Sequence, residues 1–527
     1  MDFLASFELT FKLFIMIKNN FLHFSKASLL VVFLLFLKSC EELKPIQSNP
    51  KSSPPNMIIF IADDVSWDDL GCYGNDQVQS PNIDSLAGKG IIFKNAYLTT
   101  SSCSPSRNSI ITGRYPHNTG AAELHSMPPM EMISLPEILK SKGYFTLQAG
   151  KFHMGDYAIR GFDEVHDDQE INGFGGEEYW EHAIENIPKG KPFFMWFASN
   201  DAHRGWGENE FSGIHNPDEI KVPEYLVDGS ETRLDLANYY DEITRFDYYI
   251  GKVVQKLKEK GAYENTIIIV MADNGRPFPH SKTRVNDQGV KTPFVVHYPQ
   301  ATATQNSVSQ SLISTIDIAP TLIDLAGIEP KDHFQGVSFK KLLLNSNQKH
   351  RNYVFAEHNW HDYEAYERMV SNEHYMYIKN ERPQFAQRGP LDAVNSTTYT
   401  ELKQALLDGL ITKKQADIFM APRPQEELYD LIADPYQFNN LLLGENIPLA
   451  YQELKQKLEE WSVSTGDNLP ENMTQDWYFR EPSSGYEIGL NGERFPKESN
   501  KTENYGKRGE MPGAYTSAIK INNKGPF

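Results

Sequence analysis

The chain has 527 residues, of which 40% are hydrophobic and 12% aromatic, and its formal net charge at pH 7 is −19. This length and apolar content predict a globular protein of about two or three domains and exclude a wholly disordered chain. The acidic balance argues against a nucleic-acid partner, because affinity for phosphate backbones depends on Lys and Arg. An anionic substrate would therefore need a local basic pocket.

The N-terminal region has the pattern of a bacterial export signal. Lys18 and Lys26 precede the unbroken apolar run "LLVVFLLFL" of residues 29–37. This run is too short to cross a bilayer as a helix. The stretch "LKSC" that follows resembles a lipobox, in which Cys40 would be lipidated and become the mature N-terminus. A signal peptide cleaved elsewhere and a buried helix are the alternatives.

We therefore expect residues 1–40 to be a lipoprotein signal peptide, with Met16 as an alternative start. Residues 41–55, which are polar and rich in Pro and Ser, would tether the folded body to a membrane, in the periplasm or at the cell surface. Export makes disulfides an option, and Cys72 and Cys103 are the two remaining cysteines. A single disulfide between them is one interpretation.

Five apolar runs between residues 56 and 299 predict buried strands. They are "NMIIFIADD", "YFTLQAGKFH", "PFFMWFASNDAH", "NTIIIVMADNG" and "TPFVVHYP". Runs without polar alternation suit strands that are buried on both faces. Helical patterns lie between them, most clearly in residues 235–261, where apolar residues recur at steps of three and four before Gly261. Residues 56–340 are therefore predicted to form an α/β domain with a mostly parallel central sheet flanked by helices.

The sequence changes character beyond about residue 340. Residues 341–466 contain alternating segments such as "RNYVFAEHNWHDYEAYERMVSNEHYMYIKN" and an amphipathic stretch, "IPLAYQELKQKLEEWSVSTG". These patterns predict a smaller C-terminal α+β domain with an antiparallel sheet. Residues 467–527 form a polar tail.

Acidic and amide residues follow two of the predicted strands. Asp63 and Asp64 end one apolar run, and Asp273 and Asn274 end another. Ligands bind beyond the C-terminal ends of the strands in parallel sheets. Oxygen ligands gathered there would bind a hard cation such as calcium or magnesium. The alternative is that each pair merely begins a turn.

Basic residues occupy similar places in the chain. Lys151 and His153 follow the second apolar run, where alternate residues share a face, and His203 ends the third. Lys282 lies shortly after the "DNG" turn, and Arg107 lies in the stretch "CSPSR". Each could be an ordinary surface side chain. Together they would form a cationic pocket for a tetrahedral oxyanion, sulfate or phosphate.

The stretch "CSPSR" at 103–107, followed by "TGRYPHNTG", resembles the signature of the type I sulfatases of the alkaline-phosphatase-like superfamily. The segments "IADDVSWDDLGCYG", "SPNIDSLAGKGIIFKNAY", "GKFHMG", "ADNG" and "ELYDLIADP" fall in that family's order across most of residues 56–445. The segments "SSCSPSR", "DAHR" and "DNGRPFPHSKTR" are most similar to those of the sulfamidase (N-sulfoglucosamine sulfohydrolase-like) branch. The resemblance implies an alkaline-phosphatase-like fold and oxidation of Cys103 to formylglycine (3-oxoalanine) by a maturing enzyme.

The resemblance also implies roles for individual residues. One calcium ion would be bound by Asp63, Asp64, the modified Cys103, Asp273 and Asn274. The aldehyde hydrate would offer two hydroxyls, one to attack sulfur and one to expel sulfate afterwards. Arg107 and Lys151 would stabilise the hydrate, and His153 would take the proton that releases sulfate. His203 and Lys282 would bind sulfate oxygens, with His203 as the proton donor to the leaving group.

Two departures from the family pattern leave the substrate subsite open. The sequence has "NDQGVKTP", with Lys291 where the family often has Arg, and "NDAHRG" where "PHxPH" is common. Candidate sugar-binding residues, for which ordinary packing is the alternative, are Arg204, Trp206, Arg276, His280, His358, Trp360 and His361.

These observations predict an exported, lipid-anchored sulfatase. It would act, as an exo-enzyme, on sulfated carbohydrate such as oligosaccharides from ulvan or glycosaminoglycans. A sulfamidase acting on heparan-type substrates is one alternative. A phosphatase or phosphodiesterase of the same superfamily, with a second metal, is another. A non-catalytic glycan-binding lipoprotein with an unmodified Cys103 is the third.

Overall fold

The computed structural model describes most of the residues that follow the predicted signal peptide. The described residues are 53–300, 306–330, 333–474, 486–488, 494–496 and 510–513. The predicted signal peptide with Met16 and Cys40, and most of the predicted tail, lie outside them. All described helices and strands belong to one compact unit, Pro54–Phe527. Within this part of the protein, no helix combines the length and apolarity needed to cross a membrane.

Strands and helices alternate in the first two thirds of the described residues. The strands are β1 Asn56–Ala62, β2 Ile91–Tyr97, β3 Phe145–Gly150, β4 Glu164–His166, β5 Phe193–Ala198, β6 Thr266–Ala272, β7 Phe294–His297, β8 Ser307–Ser314, β9 Val354–His358, β10 Glu367–Ser371, β11 Tyr375–Asn380, β12 Glu426–Asp430, β13 Tyr486–Ile488 and β14 Arg494–Pro496. The α-helices are α1 Pro81–Gly88, α2 Cys103–Thr112, α3 Leu135–Ser141, α4 Gln169–Asn172, α5 Trp180–Glu185, α6 Ser230–Glu259, α7 Asp287–Val290, α8 Ile318–Leu325, α9 Lys340–Leu344, α10 Leu391–Val394, α11 Thr397–Leu407, α12 Lys413–Ala416 and α13 Ala450–Thr465. Short 3₁₀ helices span Gly71–Tyr73, Pro116–Asn118, Asp156–Gly161, Pro217–Glu219, Tyr263–Asn265, Thr315–Asp317, Asp417–Phe419 and Leu441–Leu443.

The main sheet has eight strands in the order β4-β3-β5-β1-β6-β7-β2-β8. All of its strands run parallel except β7, which is antiparallel to both of its neighbours. β1 lies centrally, paired in register with β5 (Met57 with Phe194) and with β6 (Met57 with Ile267). Every residue of β1 is buried, as the run without polar alternation predicts for a strand covered on both faces.

Helices cover both faces of this sheet. Ile59 and Ile61 of β1 belong to the core on one face, and Ile58 and Phe60 to the core on the other. The long helix α6 covers the second face with the buried residues of its predicted apolar stripe. They are Leu236, Tyr239, Ile243, Phe246, Ile250, Val253 and Leu257.

A second, smaller sheet has four antiparallel strands in the order β12-β11-β10-β9. Helix α13 packs on it, and Trp461 of that helix stacks on Phe355 of β9 with ring centroids 5.3 Å apart. The buried ion pair between Arg351 and Asp317 links the segment before β9 to the end of the α/β region. The predicted fold class, a mostly parallel sheet with a smaller antiparallel α+β region, is confirmed.

Candidate active site

The carboxyl ends of four neighbouring strands bring the predicted site residues together. Backbone hydrogen bonds continue between the segments just beyond the strands, from Asp63 N to Asp201 O at 2.7 Å and from Asp273 N to Ala62 O at 3.1 Å. Lys151, directly after β3, donates its backbone N–H to Ala198 of β5 at 2.8 Å. These bonds hold the residues after β1, β3 and β6 side by side, as expected where ligands bind in parallel sheets.

Cys103 is the first residue of α2 and faces the carboxylates. Its Sγ lies 3.6 Å from Asp63 Oδ1 and 3.9 Å from Asp64 Oδ1. Asp64 N donates to Asp273 Oδ1 at 3.2 Å. These four residues are almost completely buried, and we call them the floor of the site.

The floor has the donor set of a hard-cation site. Asp63, Cys103 and Asp273 each offer one ligand atom within 4.8 Å of the others. Asn274 is fully buried and its amide donates to Asp64, while its Oδ1 has no hydrogen-bond partner. A buried carbonyl oxygen without a partner costs free energy unless a cation or donor meets it. The described residues therefore fit a divalent cation with oxygen ligands.

Burial changes the acidity of the floor carboxyls. It raises the pKa of Asp64 to about 7, against the opposing effect of Lys282 and with help from Asp63. Burial also raises the pKa of Asp273 to about 6, against Arg107. For Asp63 the effect of burial is exceeded by Lys151 and Arg107, which hold its pKa well below the usual range. A divalent cation would favour the ionised form of all three.

Three cationic side chains surround the floor. Arg107 Nε donates to Asp273 Oδ2 at 2.7 Å, and its Nη1 donates to the backbone oxygen of Lys151 at 3.0 Å. The Lys151 ammonium pairs with Asp63. Lys282 Nζ donates to Asp64 Oδ2 at 2.7 Å. An otherwise acidic protein thus concentrates positive charge where a tetrahedral oxyanion would bind.

The thiol of Cys103 is a poor nucleophile in this environment. Burial raises its pKa well above the usual value, although Lys282 and Lys151 oppose that effect. A thiol that stays protonated at neutral pH reacts slowly. Cys72 and Cys103 are both free, so the structure does not contain the disulfide that the sequence left open.

Two predicted histidines lie at the edge of the floor. His153 Nε2 is 2.8 Å from Nδ1 of His125, and burial, with Lys151 and His125, lowers the pKa of His153 well below its usual value. His203 Nδ1 lies 3.0 Å from the backbone oxygen of Arg204, and an N–H there leaves Nε2 without a proton. Burial, with Lys282 and Lys151, lowers the pKa of His203 to about 4.

Two residues of the site were missed in the sequence. His125 precedes α3, and its backbone N–H donates to Ser104 Oγ beside Cys103 at 2.8 Å. Asp392 of α10 accepts a hydrogen bond from Lys282 Nζ at 2.7 Å and lies 3.6 Å from His203 Nε2. Neither belongs to a motif or to a strand end, so no local signal marked it. Only the packing of distant segments places them here.

Several predicted sugar-binding residues are engaged in other interactions. Both terminal nitrogens of Arg204 donate to Asp235, at 2.8 and 2.9 Å, and its guanidinium stacks on Trp206 and Phe278. The Trp206 indole N–H donates to the backbone oxygen of Ala202 at 3.2 Å.

Arg276 and His280 are also paired. Arg276 Nη2 lies 2.7 Å from Asp68 and 2.8 Å from Asp69. His280 Nδ1 is 3.0 Å from Asp417.

His361 is hydrogen-bonded to the residue that precedes Cys103. Its Nδ1 lies 2.8 Å from Oγ of Ser102, the residue before Cys103. His358 is buried against Tyr363, with ring centroids 5.3 Å apart, and Trp360 is buried. We call His203, His361 and Asp392 the mouth of the site.

Family models match two overlapping parts of the sequence. The model described as "Sulfatase" matches residues 55–328, and the model "N-sulphoglucosamine sulphohydrolase, C-terminal" matches residues 280–385. The second match confirms the predicted likeness to the sulfamidase branch.

Curated relatives agree with these matches. An "Ulvan-active sulfatase" of Formosa agariphila is 28% identical over 468 residues, which cover 79% of this chain and 76% of the relative. The human "N-sulphoglucosamine sulphohydrolase" is 26% identical over 463 residues, which cover 79% of this chain and 91% of the relative.

Solved structures share the fold. The structure of BT4656 in complex with its substrate D-glucosamine-2-N,6-O-disulfate has a TM-score of 0.61 at 21% identity, covering 78% of this chain and 98% of that one. The structure of Ps i-CgsB with k-i-k-neocarrahexaose has a TM-score of 0.58 at 20% identity, covering 82% and 96%. With the family model spanning more than half of the sequence and the strand-end site in place, the protein belongs to the sulfatase family.

Proposed function

We propose that this sulfatase removes sulfate from sulfated carbohydrates, acting on terminal residues of oligosaccharides such as those derived from ulvan or glycosaminoglycans. One observation carries the proposal: Cys103 begins α2 against three buried carboxylates, surrounded by Arg107, Lys151 and Lys282. The names of the relatives, an ulvan-active sulfatase and an N-sulphoglucosamine sulphohydrolase, support the substrate class.

One calcium ion per protein molecule would complete the floor. Asp63, Asp64, Asp273 and Asn274 would hold it together with residue 103, and the unpartnered Asn274 Oδ1 supports this assignment. The ion would supply a Lewis acid that polarises a sulfate oxygen and activates the nucleophile. Asp63 is already held ionised by Lys151 and Arg107, so it is a ready ligand at neutral pH.

Residue 103, oxidised to formylglycine and hydrated, would supply one hydroxyl to attack sulfur and a second whose deprotonation expels sulfate. Arg107 and Lys151 would stabilise negative charge at this carbon, since the carboxylates around them keep the pKa values of both side chains raised. Lys282 would bind a sulfate oxygen. The net reaction consumes one water and yields the free sugar hydroxyl and sulfate.

The two histidines would accept and donate the protons of the reaction. His153 is neutral because burial lowers its pKa, so it can accept the proton that accompanies sulfate release. His203 would donate a proton to the leaving oxygen from Nε2, which faces the mouth. The substrate sulfate, by its charge, would favour the protonated form of His203.

The C-terminal region supports action at the ends of oligosaccharides. Asp392, which follows β11 in the sequence, contacts Lys282, so the smaller region covers one side of the site. A site enclosed in this way suits the terminus of a polymer better than its interior. We also propose that an N-terminal export signal and a lipidated Cys40 would hold the enzyme in the periplasm or at the cell surface.

An N-sulfate on glucosamine is a second candidate substrate. The match of residues 280–385 to the C-terminal model of N-sulphoglucosamine sulphohydrolase favours it. The sulfate-binding residues would be the same, because the two chemistries differ in the leaving atom.

Mass spectrometry of the peptide that contains Cys103 tests the proposal. After co-expression with a sulfatase-maturing enzyme, we expect formylglycine at residue 103, an unmodified thiol at Cys72, and about one calcium per protein molecule by elemental analysis. Assays on O-sulfated, N-sulfated and phosphorylated sugars should show that sulfate is released and that phosphate is not. An unmodified Cys103 in protein that binds glycans, or release of phosphate instead of sulfate, would contradict it.

A further inference from the structure

Asp392 places a carboxylate beside the groups that would hold the substrate sulfate. Its Oδ2 accepts a hydrogen bond from Lys282 Nζ at 2.7 Å and lies 3.6 Å from His203 Nε2. The same Lys282 nitrogen donates to Asp64 Oδ2 at 2.7 Å. Lys282 thus joins the floor to the mouth, and a sulfate that binds Lys282 and His203 lies next to Asp392.

Exposure within the site increases from the floor to the pair His203 and Asp392. The side chains of Asp63 and Asp64 are 0% exposed, whereas that of Asp392 is 16% exposed and that of His203 is 36% exposed. Attack on sulfur from the floor sends the leaving oxygen away from the floor, toward these exposed groups. The sugar would therefore lie against His203 and Asp392, with the substituents next to the sulfated atom on that side.

The orientation of Asp392 is fixed by its own segment. Its Oδ1 accepts a hydrogen bond from Ala393 N at 2.7 Å, and the preceding Leu391 N donates to Asp362 at 3.0 Å. Asp392 Oδ2 is therefore the oxygen directed at the site. Lys282 and His203 hold the pKa of the Asp392 carboxyl well below its usual range against the effect of burial, so it is ionised.

The charges around Asp392 disfavour a second sulfate beside the first. Asp63, Asp64, Asp273 and Asp392 are four carboxylates, and Arg107, Lys151 and Lys282 are the three cations in ion pairs with them. The first sulfate would bind Lys282, the cation that pairs with Asp392. A second sulfate on the adjacent atom would then meet the Asp392 carboxylate, and like charges in contact oppose binding.

We propose that Asp392 is a specificity residue that selects sugars with a hydrogen-bond donor, a free hydroxyl or amine, on the atom adjacent to the sulfated one, and that rejects sugars with a sulfate there. This inference rests on the proposed function and narrows its substrate class to residues without a vicinal second sulfate. Asp392 follows both matched family segments, 55–328 and 280–385, and lies in the C-terminal region.

The test compares kcat/KM for release of the same sulfate from two disaccharides, one monosulfated with a free adjacent hydroxyl and one carrying a second sulfate there. The wild-type enzyme should prefer the first by at least about tenfold. In Asp392→Asn the preference should fall by about tenfold, chiefly through a lower KM for the disulfated sugar, because the repelling charge is gone. Asp392→Glu, which keeps the charge, should keep the preference.

Asp408→Asn is the matched control, because it removes one carboxylate from an exposed position of the same region. It should leave kcat/KM unchanged for both disaccharides. Higher salt should narrow the wild-type preference, which checks the electrostatic cause without any substitution. Equal wild-type activity on both sugars, or an Asn variant that lowers both rates by one factor, would overturn the inference while leaving the sulfatase intact. No sulfate release from any sugar would instead overturn the proposed function, and this inference with it.

Discussion

The floor and the mouth of the site are built in different ways. The floor residues Asp63, Asp64, Cys103 and Asp273 follow strands of the main sheet or begin a helix, and they are buried. The mouth consists of side chains from loops and from the C-terminal region, and His203 and Asp392 are partly exposed. The difference indicates that the chemistry is held rigidly by the sheet, while the choice of sugar depends on segments that can vary without disturbing it.

The largest expected effect comes from removing the reacting side chain of the floor. Cys103→Ala cannot be oxidised to an aldehyde, so sulfate release should fall by at least about 10⁴-fold, the scale seen when a covalent nucleophile is removed. Because the pocket is lined by paired charges that remain, the variant should still fold. Sulfate release and thermal melting measure the two outcomes.

Cys72→Ala is the control for that substitution. Cys72 is a free, partly buried thiol whose loss should leave activity unchanged. Substantial activity in Cys103→Ala would mean that the nucleophile lies elsewhere and that the floor is only a binding site.

Lys282 connects the floor to the mouth, and its loss should affect both. Lys282→Met leaves Asp64 and Asp392 without their shared cation and removes a sulfate ligand, so kcat/KM should fall by about 10²- to 10³-fold. Lys403→Met, which removes a cation from an exposed position of α11, serves as the control. An effect confined to KM would assign Lys282 to binding alone.

The sequence predicted every residue of the floor and, of the mouth, His203 and His361 but not Asp392. Every floor residue could be found, because strand-terminal acidic pairs and the "CSPSR" stretch are local patterns next to unmistakable apolar runs. The α/β and α+β regions followed from the same periodicity. Arg276 and His280 were chosen as candidate sugar ligands by type and proximity in sequence, but the structure pairs them with Asp68, Asp69 and Asp417.

Asp392 and His125 show why the rest could not be predicted. Asp392 lies more than one hundred residues after Lys282, in a four-residue helix of a polar stretch with no periodicity. His125 meets His153 only because the loop before α3 packs against the start of α2. Contacts of this kind depend on the three-dimensional path of loops, which composition and spacing do not encode.

Calcium binding to the floor should depend on pH. Burial raises the pKa of Asp64 to about 7 and that of Asp273 to about 6 in the metal-free protein, so protons compete with the ion below these values. The apparent affinity should therefore rise by about tenfold per pH unit between about pH 5.5 and 7, and level off above. Calorimetric titration of metal-free protein in two buffers would measure affinity and proton release together.

Asp273→Asn provides the comparison for this titration. It removes one titrating ligand, so calcium should bind more weakly and with a shallower dependence on pH. An affinity that does not change between about pH 5.5 and 7.5 in the wild-type protein would show that the floor carboxyls are already ionised without metal.

The smallest effect on activity, with a large effect on stability, is expected at the junction of the two sheets. Asp317 accepts hydrogen bonds from Arg351 Nε at 2.7 Å and from Val337 N at 2.8 Å, and both charged side chains are fully buried. Asp317→Asn would remove the carboxylate that pairs with the buried Arg351, which costs about 3 to 5 kcal/mol of unfolding free energy. The floor residues make no described contact with this pair, so the rate of the folded enzyme should change by less than about threefold.

The dependence of this loss on pH identifies the ion pair as its cause. Arg351 holds the pKa of the Asp317 carboxyl well below its usual range despite burial. Its contribution to stability is therefore present above the unfolded value of 3.8 and is lost as the pH falls toward the lower folded value. Urea denaturation should show a large difference between wild type and Asp317→Asn at pH 7 that shrinks below about pH 4, whereas Asp76→Asn, in an exposed ion pair with Lys221, should match the wild type throughout. A difference in unfolding free energy that stays constant with pH would instead attribute the loss to packing or to the hydrogen bonds to the backbone. The two sheets would then be held together by packing rather than by the ion pair.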